Sequence, residues 1–398
     1  MANKSLGAAK KAKEDEFYTQ WADIEREMNA YLEYDPDVFR GKTILLPCDD
    51  PEWSNFAKFF ALHFTEYGIA KLISTSYAPA SNAEGMFYTP TLFDDPQFDV
   101  EKDFTRGKIF TLMLDDISGD GRVDIEDLQW DYLEGDGDFR SGEVTALRDE
   151  ADIIITNPPF SLFRTFIAWL MEGDVKFSII GPKNATTYKE IFPLIKDNKL
   201  WIGRGFQNGD AFFRVPGEAR TEYADGVYDP ETQMVHFRNV GWFTNLEHGR
   251  RHEPLQLMTM ADNIKFSKHK QVRGIGYRRY ANYDGIEIPF TDAIPSDHQN
   301  LMGVPITFLD KYNPEQFEIL GISKTWDKDS GLKTHIFPTQ TQVSKNGVRS
   351  QVGKLNDGPA IKVNERPSTT YYEVDGEMFI QAYARILIRH RNPEGPEG

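Results

Sequence analysis

Ala151-Asp152-Ile153-Ile154-Ile155-Thr156-Asn157-Pro158-Pro159-Phe160 is the stretch on which the reading of this chain turns. Its first half is a short, β-branched apolar run of the kind that forms a strand buried on both faces. A polar, stiffened loop follows at once. Consecutive prolines fix φ and remove backbone donors, so the loop offers carbonyl groups to whatever lies above it. An exocyclic amine conjugated to a ring, such as adenine N6, is a poor nucleophile because its lone pair is delocalised. Acceptors that hold both hydrogens turn that lone pair outward. The Asn157 amide oxygen and the Pro158 carbonyl are candidate acceptors, Pro159 stiffens the loop, and Phe160 offers a flat face to an extruded base. The competing reading is a plain strand-ending turn, for which Asn-Pro is common chemistry. Position favours the first, since ligands of open α/β sheets bind at the carboxyl ends of strands.

Working outward, Glu14 to Tyr31 reads as a helix and Thr43 to Cys48 as a short buried strand. A polar turn, Asp49 to Asn55, leads into a helix over Phe56 to Tyr67 and a strand over Ala70 to Thr75. Further strands are expected at Lys108 to Leu114, Asp152 to Thr156 and Lys176 to Gly181, with a helix over Leu162 to Met171. The alternation predicts an α/β fold, a doubly wound, Rossmann-like sheet with helices on both faces. After about Gly249, Gly, Pro, Asn and aromatic residues rise and strand-like pieces shorten. The expected division is a catalytic domain over 1–248, with an acidic insertion at 115–135, a mixed α+β domain over 249–390, and a disordered tail over 391–398.

The chain has 398 residues, 40% hydrophobic and 13% aromatic, enough for more than one core. Its formal net charge of −17 excludes nucleic-acid binding by bulk charge, so any such partner needs a local basic surface. Arg250, Arg251, Lys265, Lys268, Lys270, Arg273, Arg278 and Arg279 form one strip, interrupted only by Glu253 and Asp262. It reads either as a phosphate-contacting surface or as a solvated face. Cys48 is the sole cysteine, which excludes an internal disulfide and zinc held by paired thiolates. The Lys- and Ala-rich start lacks the apolar core of a signal peptide. No apolar run approaches the ~18 residues that would span a bilayer, so a cytoplasmic chain is expected.

A methyl-transferring loop needs a methyl donor. The first strand runs into Pro47-Cys48-Asp49-Asp50-Pro51, whose carboxylates either hold the ammonium or ribose hydroxyls of S-adenosylmethionine or merely cap the next helix. In Gly135 to Ser141, Asp138 is a candidate acceptor for an adenine amine and Phe139 a candidate stacking face, against a plain glycine turn. Tyr18 and Thr19 are candidates for the same pocket. Asp116 to Asp127 matches a calcium loop, with Asp116, Ser118, Asp120 and Asp127 as ligands and Gly121 at the turn. Ser118 and the short Asp127 depart from that pattern, and an acidic turn is the alternative.

Taken in order, Asp15-Glu16-Phe17-Tyr18-Thr19, Pro47-Cys48-Asp49-Asp50-Pro51, Gly137-Asp138-Phe139-Arg140-Ser141 and Asn157-Pro158-Pro159-Phe160 resemble the EcoRI-like family of adenine-specific DNA methyltransferases. The resemblance extends to Val240 to Leu246 and Gly303 to Tyr312. It implies a class I methyltransferase sheet and methyl transfer from S-adenosylmethionine to adenine N6 in a specific duplex sequence, the target base being flipped. It implies that Asn157, Pro158, Pro159 and Phe160 form the catalytic loop. Tyr18, Thr19, Cys48, Asp49, Asp50, Asp138, Phe139 and Asn157 then line the cofactor site. Phe243, or Trp242, becomes a second wall against the base, and Arg250, Arg251, Lys268, Lys270, Arg273, Arg278 and Arg279 the DNA surface of a target-recognition domain. Two departures stand out: no Gly-x-Gly loop follows the first strand, and Ser74-Thr75-Ser76 occupies the place where relatives carry an acid. The alternatives are an amino methyltransferase for cytosine N4, RNA adenine or protein glutamine, and a catalytically inactive DNA-binding protein. A restriction endonuclease partner and a monomer or weak dimer complete the expectations.

Overall fold

The strands that flank the catalytic stretch are buried almost throughout, and they form the middle of a large mixed sheet. The computed structural model describes residues 18–50, 54–78, 99–115, 117–119, 123, 125–206, 211–214, 227–229, 231–232, 234–327 and 330–395. These fall into two units, the described residues of Met1–Ala185 with Leu200–Gly249, and those of Thr186–Lys199 with Arg250–Gly398.

In the first unit the strands in chain order are β1 (Tyr18–Thr19), β2 (Thr43–Leu46), β3 (Lys71–Thr75), β4 (Lys108–Leu112), β5 (Gln129–Tyr132), β6 (Ile153–Thr156), β7 (Lys176–Pro182), β8 (Trp201–Ile202), β9 (Ala211–Arg214), β10 (Tyr228–Asp229), β11 (Met234–Phe237) and β12 (Val240–Thr244). The main sheet has the order β5-β4-β3-β2-β6-β7-β12-β8. Its centre is parallel, β3 to β2, β2 to β6 and β6 to β7. Burial on both faces accounts for the unbroken apolar runs of β2 and β6. From β2 the chain goes to β3 on one side and later to β6 on the other. The crevice at the carboxyl ends of β2 and β6 is therefore the switch point of the sheet.

The fold is mixed α/β, and the outer strands depart from the expected doubly wound pattern. Strand β4 runs antiparallel to β3, β5 antiparallel to β4, and β12 antiparallel to both β7 and β8. An apolar run carries no mark of direction; the route of the connecting chain sets it. The β4 run also ends early, leaving Met113 and Leu114 exposed. A small antiparallel sheet, β1-β9-β11-β10, completes the strands of this unit.

The helices are α1 (Trp21–Tyr34), α2 (Asn55–Leu62), α3 (Phe64–Tyr67), α4 (Val100–Thr105), α5 (Gly142–Glu150) and α6 (Phe163–Glu172). Ser54 caps α2 by accepting the Phe56 N–H, and Ser141 caps α5 by accepting that of Val144. One helix buries a charge-bearing group. On α1, Glu27 is fully buried; its Oε1 accepts from the Tyr31 hydroxyl at 2.6 Å and its Oε2 from the Gly205 N–H at 3.1 Å. Tyr31 also meets Ser178 Oγ of β7 at 2.9 Å. Desolvation pushes the Glu27 carboxyl up to about 7, against smaller opposite pulls from Tyr31 and Gly205. A carboxyl whose folded pKa is raised stabilises the fold fully below its unfolded value and loses that contribution as pH rises through the folded one. Melting temperature should therefore fall as pH climbs from about 4.5 to about 7, and Glu27→Gln should flatten that slope. An unchanged slope in the variant, followed by circular dichroism, would refute the assignment.

The second unit holds α7 (Phe192–Lys196), α8 (Met260–Phe266) and strands β13 (Gly285–Glu287), β14 (Leu301–Pro305), β15 (Phe317–Ile322), β16 (Thr341–Val343), β17 (Arg349–Gln351), β18 (Ala360–Val363), β19 (Tyr371–Val374), β20 (Glu377–Gln381) and β21 (Arg385–His390). They form two sheets, β13-β14-β21-β15 and β17-β16-β19-β20-β18. Buried Asn282 fastens the second sheet by donating to the Gly358 carbonyl at 2.9 Å and accepting the Ala360 N–H at 2.8 Å. The sequence reading placed 186–199 in the first domain, yet α7 packs on β15 and the Phe192 ring lies edge-on to Trp326 at 5.9 Å. The tail reading also needs correcting. Arg391 N–H donates to the Gln316 carbonyl and Glu394 N–H to that of Ser296, each at 3.0 Å, so 391–395 is bonded to the unit; 396–398 lies outside the described residues. Among the described residues, no helix is long and apolar enough to cross a membrane.

Candidate active site

Strand β6 delivers Thr156 at its end, followed by half-buried Asn157, buried Pro158, half-buried Pro159 and Phe160, which is 6% exposed. The Asn157 Oδ1 is shielded from solvent. Phe160 opens a single 3₁₀ turn, Phe160–Leu162, that feeds α6. The loop is held from below by its neighbours. The Thr156 hydroxyl lies 2.5 Å from Asp49 Oδ2 and 2.6 Å from the Pro47 carbonyl. Ser54 Oγ donates to Asp49 Oδ1 at 2.6 Å, the Asp49 N–H donates to the Thr75 carbonyl at 2.8 Å, and Ser74 Oγ donates to the Asp49 carbonyl. Cys48 adopts a left-handed backbone, φ 67°, and its N–H reaches Thr75 Oγ1 at 3.4 Å. One carboxylate thus joins the carboxyl ends of β2, β3 and β6.

This arrangement answers two questions the sequence left open. Ser54, not Asp49 or Asp50, caps α2. Asp49 is 6% exposed with both oxygens engaged, which leaves half-buried Asp50 as the more accessible carboxylate of the loop. The hydroxyls of Ser74 and Thr75, found where relatives carry an acid, fasten the β2 loop. Thr19, 2% exposed, joins the same network through its carbonyl, which accepts from Asn55 Nδ2 at 2.7 Å. Tyr18 pairs in β1 with Arg214. Phe17 and Pro51 lie outside the described residues.

The second candidate cofactor arm comes from the segment after β5. Gly137, at φ 86°, lies so close to the Ser76 carbonyl that a Cβ there would sit 2.2 Å from its oxygen, so no other residue fits. The Asp138 carboxylate is bound by Arg140 Nε at 2.9 Å and by the Tyr77 hydroxyl at 3.3 Å. The Arg140 hydrogen bond holds its pKa below the ordinary carboxylate value, partly offset by burial. Tyr77 was not foreseen; nothing in its local sequence marks it. Phe139 departs from expectation: it is 2% exposed, edge-on to Phe166 at 4.9 Å and Trp169 at 5.5 Å. Apolar α6 claims the ring, so it offers no stacking face to a ligand in this structure.

Other expected residues lie elsewhere. Phe243 and Trp242 are fully buried in β12, Phe243 against Phe163 at 4.9 Å and Trp242 against Phe56 at 5.8 Å, so neither presents a wall to a base. In the second unit Arg251 is 3% exposed and bonds Asn198, which removes it from any DNA surface. Arg250 is half-buried. Lys268 pairs with Asp292 at 2.7 Å and Arg279 with Asp284 at 2.8 Å. Lys270, Arg273 and Arg278 are exposed and, among the described residues, have no carboxylate within salt-bridge reach. In the calcium-like stretch, Asp116 and Asp120 lie outside the described residues. Asp127 is buried, and its Oδ1 accepts the N–H groups of Ile117 and Ser118, both at 2.8 Å, which is the work of a turn-closing side chain. Among the described residues, no group of three or more His, Cys, Asp or Glu is placed to hold a metal ion.

Comparison with known proteins gives this geometry a family. A model of the family described as adenine-specific methyltransferase EcoRI matches residues 5–391. The chain is 39% identical over 327 residues to the type II methyltransferase M.EcoRI of Escherichia coli, covering 82% of this chain and 91% of the relative. It is 32% identical over 323 residues to the type II methyltransferase M.MpnI of Mycoplasma pneumoniae, covering 78% and 83%. It is also 32% identical over 356 residues to the type II methyltransferase M.MgeORF184P of Mycoplasma genitalium, covering 87% and 94%. No solved structure matches. With an Asn-Pro-Pro-Phe loop at the switch point of a mixed sheet and a family match across nearly its whole length, the chain belongs to the adenine-specific methyltransferase EcoRI family.

Proposed function

We propose that the chain transfers a methyl group from S-adenosylmethionine to N6 of adenine within a specific duplex DNA sequence, the target base being turned out of the helix. That it is a DNA adenine methyltransferase follows from its family; the finer statements are our reading. The observation that carries it is the bonding of the Asn157 loop, through Thr156 and Asp49, to the carboxyl ends of β2 and β3. Nearby donors and acceptors suit the group. Asp50 and Asp138 are carboxylates for its ammonium, hydroxyl or amino hydrogens, and main-chain carbonyls end three adjacent strands. The Rossmann-like, class I description of the sheet belongs to the same proposal.

S-adenosylmethionine, when bound, supplies a methyl group on an electron-poor sulfonium. Asn157 Oδ1 and the Pro158 carbonyl accept the two hydrogens of the adenine amine and turn its lone pair outward. Phe160 and the two prolines hold the base plane. The proton released after methylation passes to water or a loop carbonyl, so no side-chain base is assigned. Rate enhancement then comes mainly from alignment. Lys270, Arg273 and Arg278 contact phosphates; the endonuclease pairing and a monomeric or weakly dimeric state remain proposals. So does calcium at Asp116, Ser118, Asp120 and Asp127, which calorimetric titration without heat would remove.

The test is incubation with isotopically labelled S-adenosylmethionine and unmethylated genomic DNA, followed by digestion to nucleosides and mass spectrometry. Label in deoxy-N6-methyladenosine is expected. Label in cytosine would overturn the base, and label only in RNA or protein the substrate.

A further inference from the structure

We propose that Ile275 is a wedge that inserts between base pairs of the bound duplex and takes the place left by the target base; this rests on the reading of duplex DNA as substrate. Ile275 is 66% exposed, an unusual position for a β-branched aliphatic side chain. It sits between Gly274 at φ 74° and Gly276 at φ 86°, both in the left-handed region, so the chain reverses on either side of it. The turn is firmly built. Gly274 N–H donates to the Ile264 carbonyl at 2.8 Å, while the Ile275 and Gly276 N–H groups share the Val272 carbonyl at 3.1 and 2.9 Å. Val272 is fully buried, and Tyr277 anchors the exit by donating its hydroxyl to the Ala293 carbonyl at 2.6 Å. A stiff-rotamer side chain is thus presented outward on a bonded turn and is not covered by the unit.

Its surroundings name the partner. Exposed Lys270 and Arg273 precede it and exposed Arg278 follows, in a chain whose net charge is −17. Phe266, 59% exposed, carries the Lys265 ammonium 4.7 Å above its ring. An aliphatic tip flanked by cations that seek phosphates is the construction by which proteins unstack a base step. The other strongly exposed aliphatic residues of this unit, Ile336 and Val348, lie outside the basic strip.

The experiment compares the whole wild-type chain, Ile275→Ala and the control Ile336→Ala on a duplex carrying the mapped site. A second duplex is identical except for an abasic position opposite the target adenine, and a third carries 2-aminopurine in place of the target. The wedge predicts that Ile275→Ala loses about tenfold or more in kcat/KM on the matched duplex and most of the 2-aminopurine fluorescence gain. It also predicts a near wild-type rate on the abasic duplex, where the base is already unpaired. Equal rates for wild type and Ile275→Ala on the matched duplex overturn the wedge. So does an equal loss on both duplexes, which would make Ile275 an ordinary binding contact. A wild-type chain that methylates neither duplex overturns the DNA reading itself, a result distinct from either.

Discussion

Asn157→Ala is expected to lower methyl transfer about a thousandfold, with cofactor binding and melting temperature little changed. The size is that of removing one preorganised polar group from a reacting centre. Without the amide oxygen, one amine hydrogen loses its acceptor and the lone pair stays delocalised into the ring. Asn157 follows the last β6 residue and is only half-buried, so truncation to Ala removes no core packing. The loss should fall on kcat with KM for DNA almost constant, because the hydrogen bond matters most as the nitrogen changes geometry. Single-turnover transfer at saturating DNA reads this directly. Normal turnover in the variant would sink the assignment of Asn157.

Asp49→Ala is expected to lower kcat about a hundredfold through position alone. The carboxylate receives the hydroxyls of Ser54 and Thr156, and Thr156 immediately precedes Asn157. Its removal leaves buried hydroxyls short of an acceptor, at roughly 1–3 kcal/mol for each group left unsatisfied. It also frees the strand end to drift, and a displacement of about 1 Å costs about 10² in rate. Asp49→Asn keeps an acceptor for one hydroxyl and an N–H for the other, so its loss should be much smaller. KM for S-adenosylmethionine separates this role from a direct ligand contact: a positioning residue leaves it nearly constant. A large rise in that KM with kcat preserved would make Asp49 a cofactor ligand; a kcat within twofold of wild type would remove both roles.

Some errors of the sequence reading share a cause. Phe139, Trp242 and Phe243 were all read as faces for a ligand because aromatic residues near polar loops often are. Each is instead claimed by a neighbour far away in the chain: α6 for Phe139, Phe56 for Trp242, Phe163 for Phe243. Arg251 was counted with a basic run, yet its guanidinium turns inward to Asn198. Lys268 and Arg279 stay outside but meet Asp292 and Asp284. Charge along the sequence is a sum over faces, and only folding separates the faces.

By itself the sequence determined the parallel centre of the sheet and the loop at its edge. Long β-branched runs, Asn-Pro-Pro and good helix caps act over a few residues, through φ restriction, missing donors and burial periodicity. Tertiary structure alone decided the direction of β4 and β12, the passage of Thr186–Lys199 to the second unit, and the function of Asp49. Those depend on contacts between residues distant in the chain: Thr156 meets Asp49 across more than a hundred positions, and no local pattern records a partner that far away.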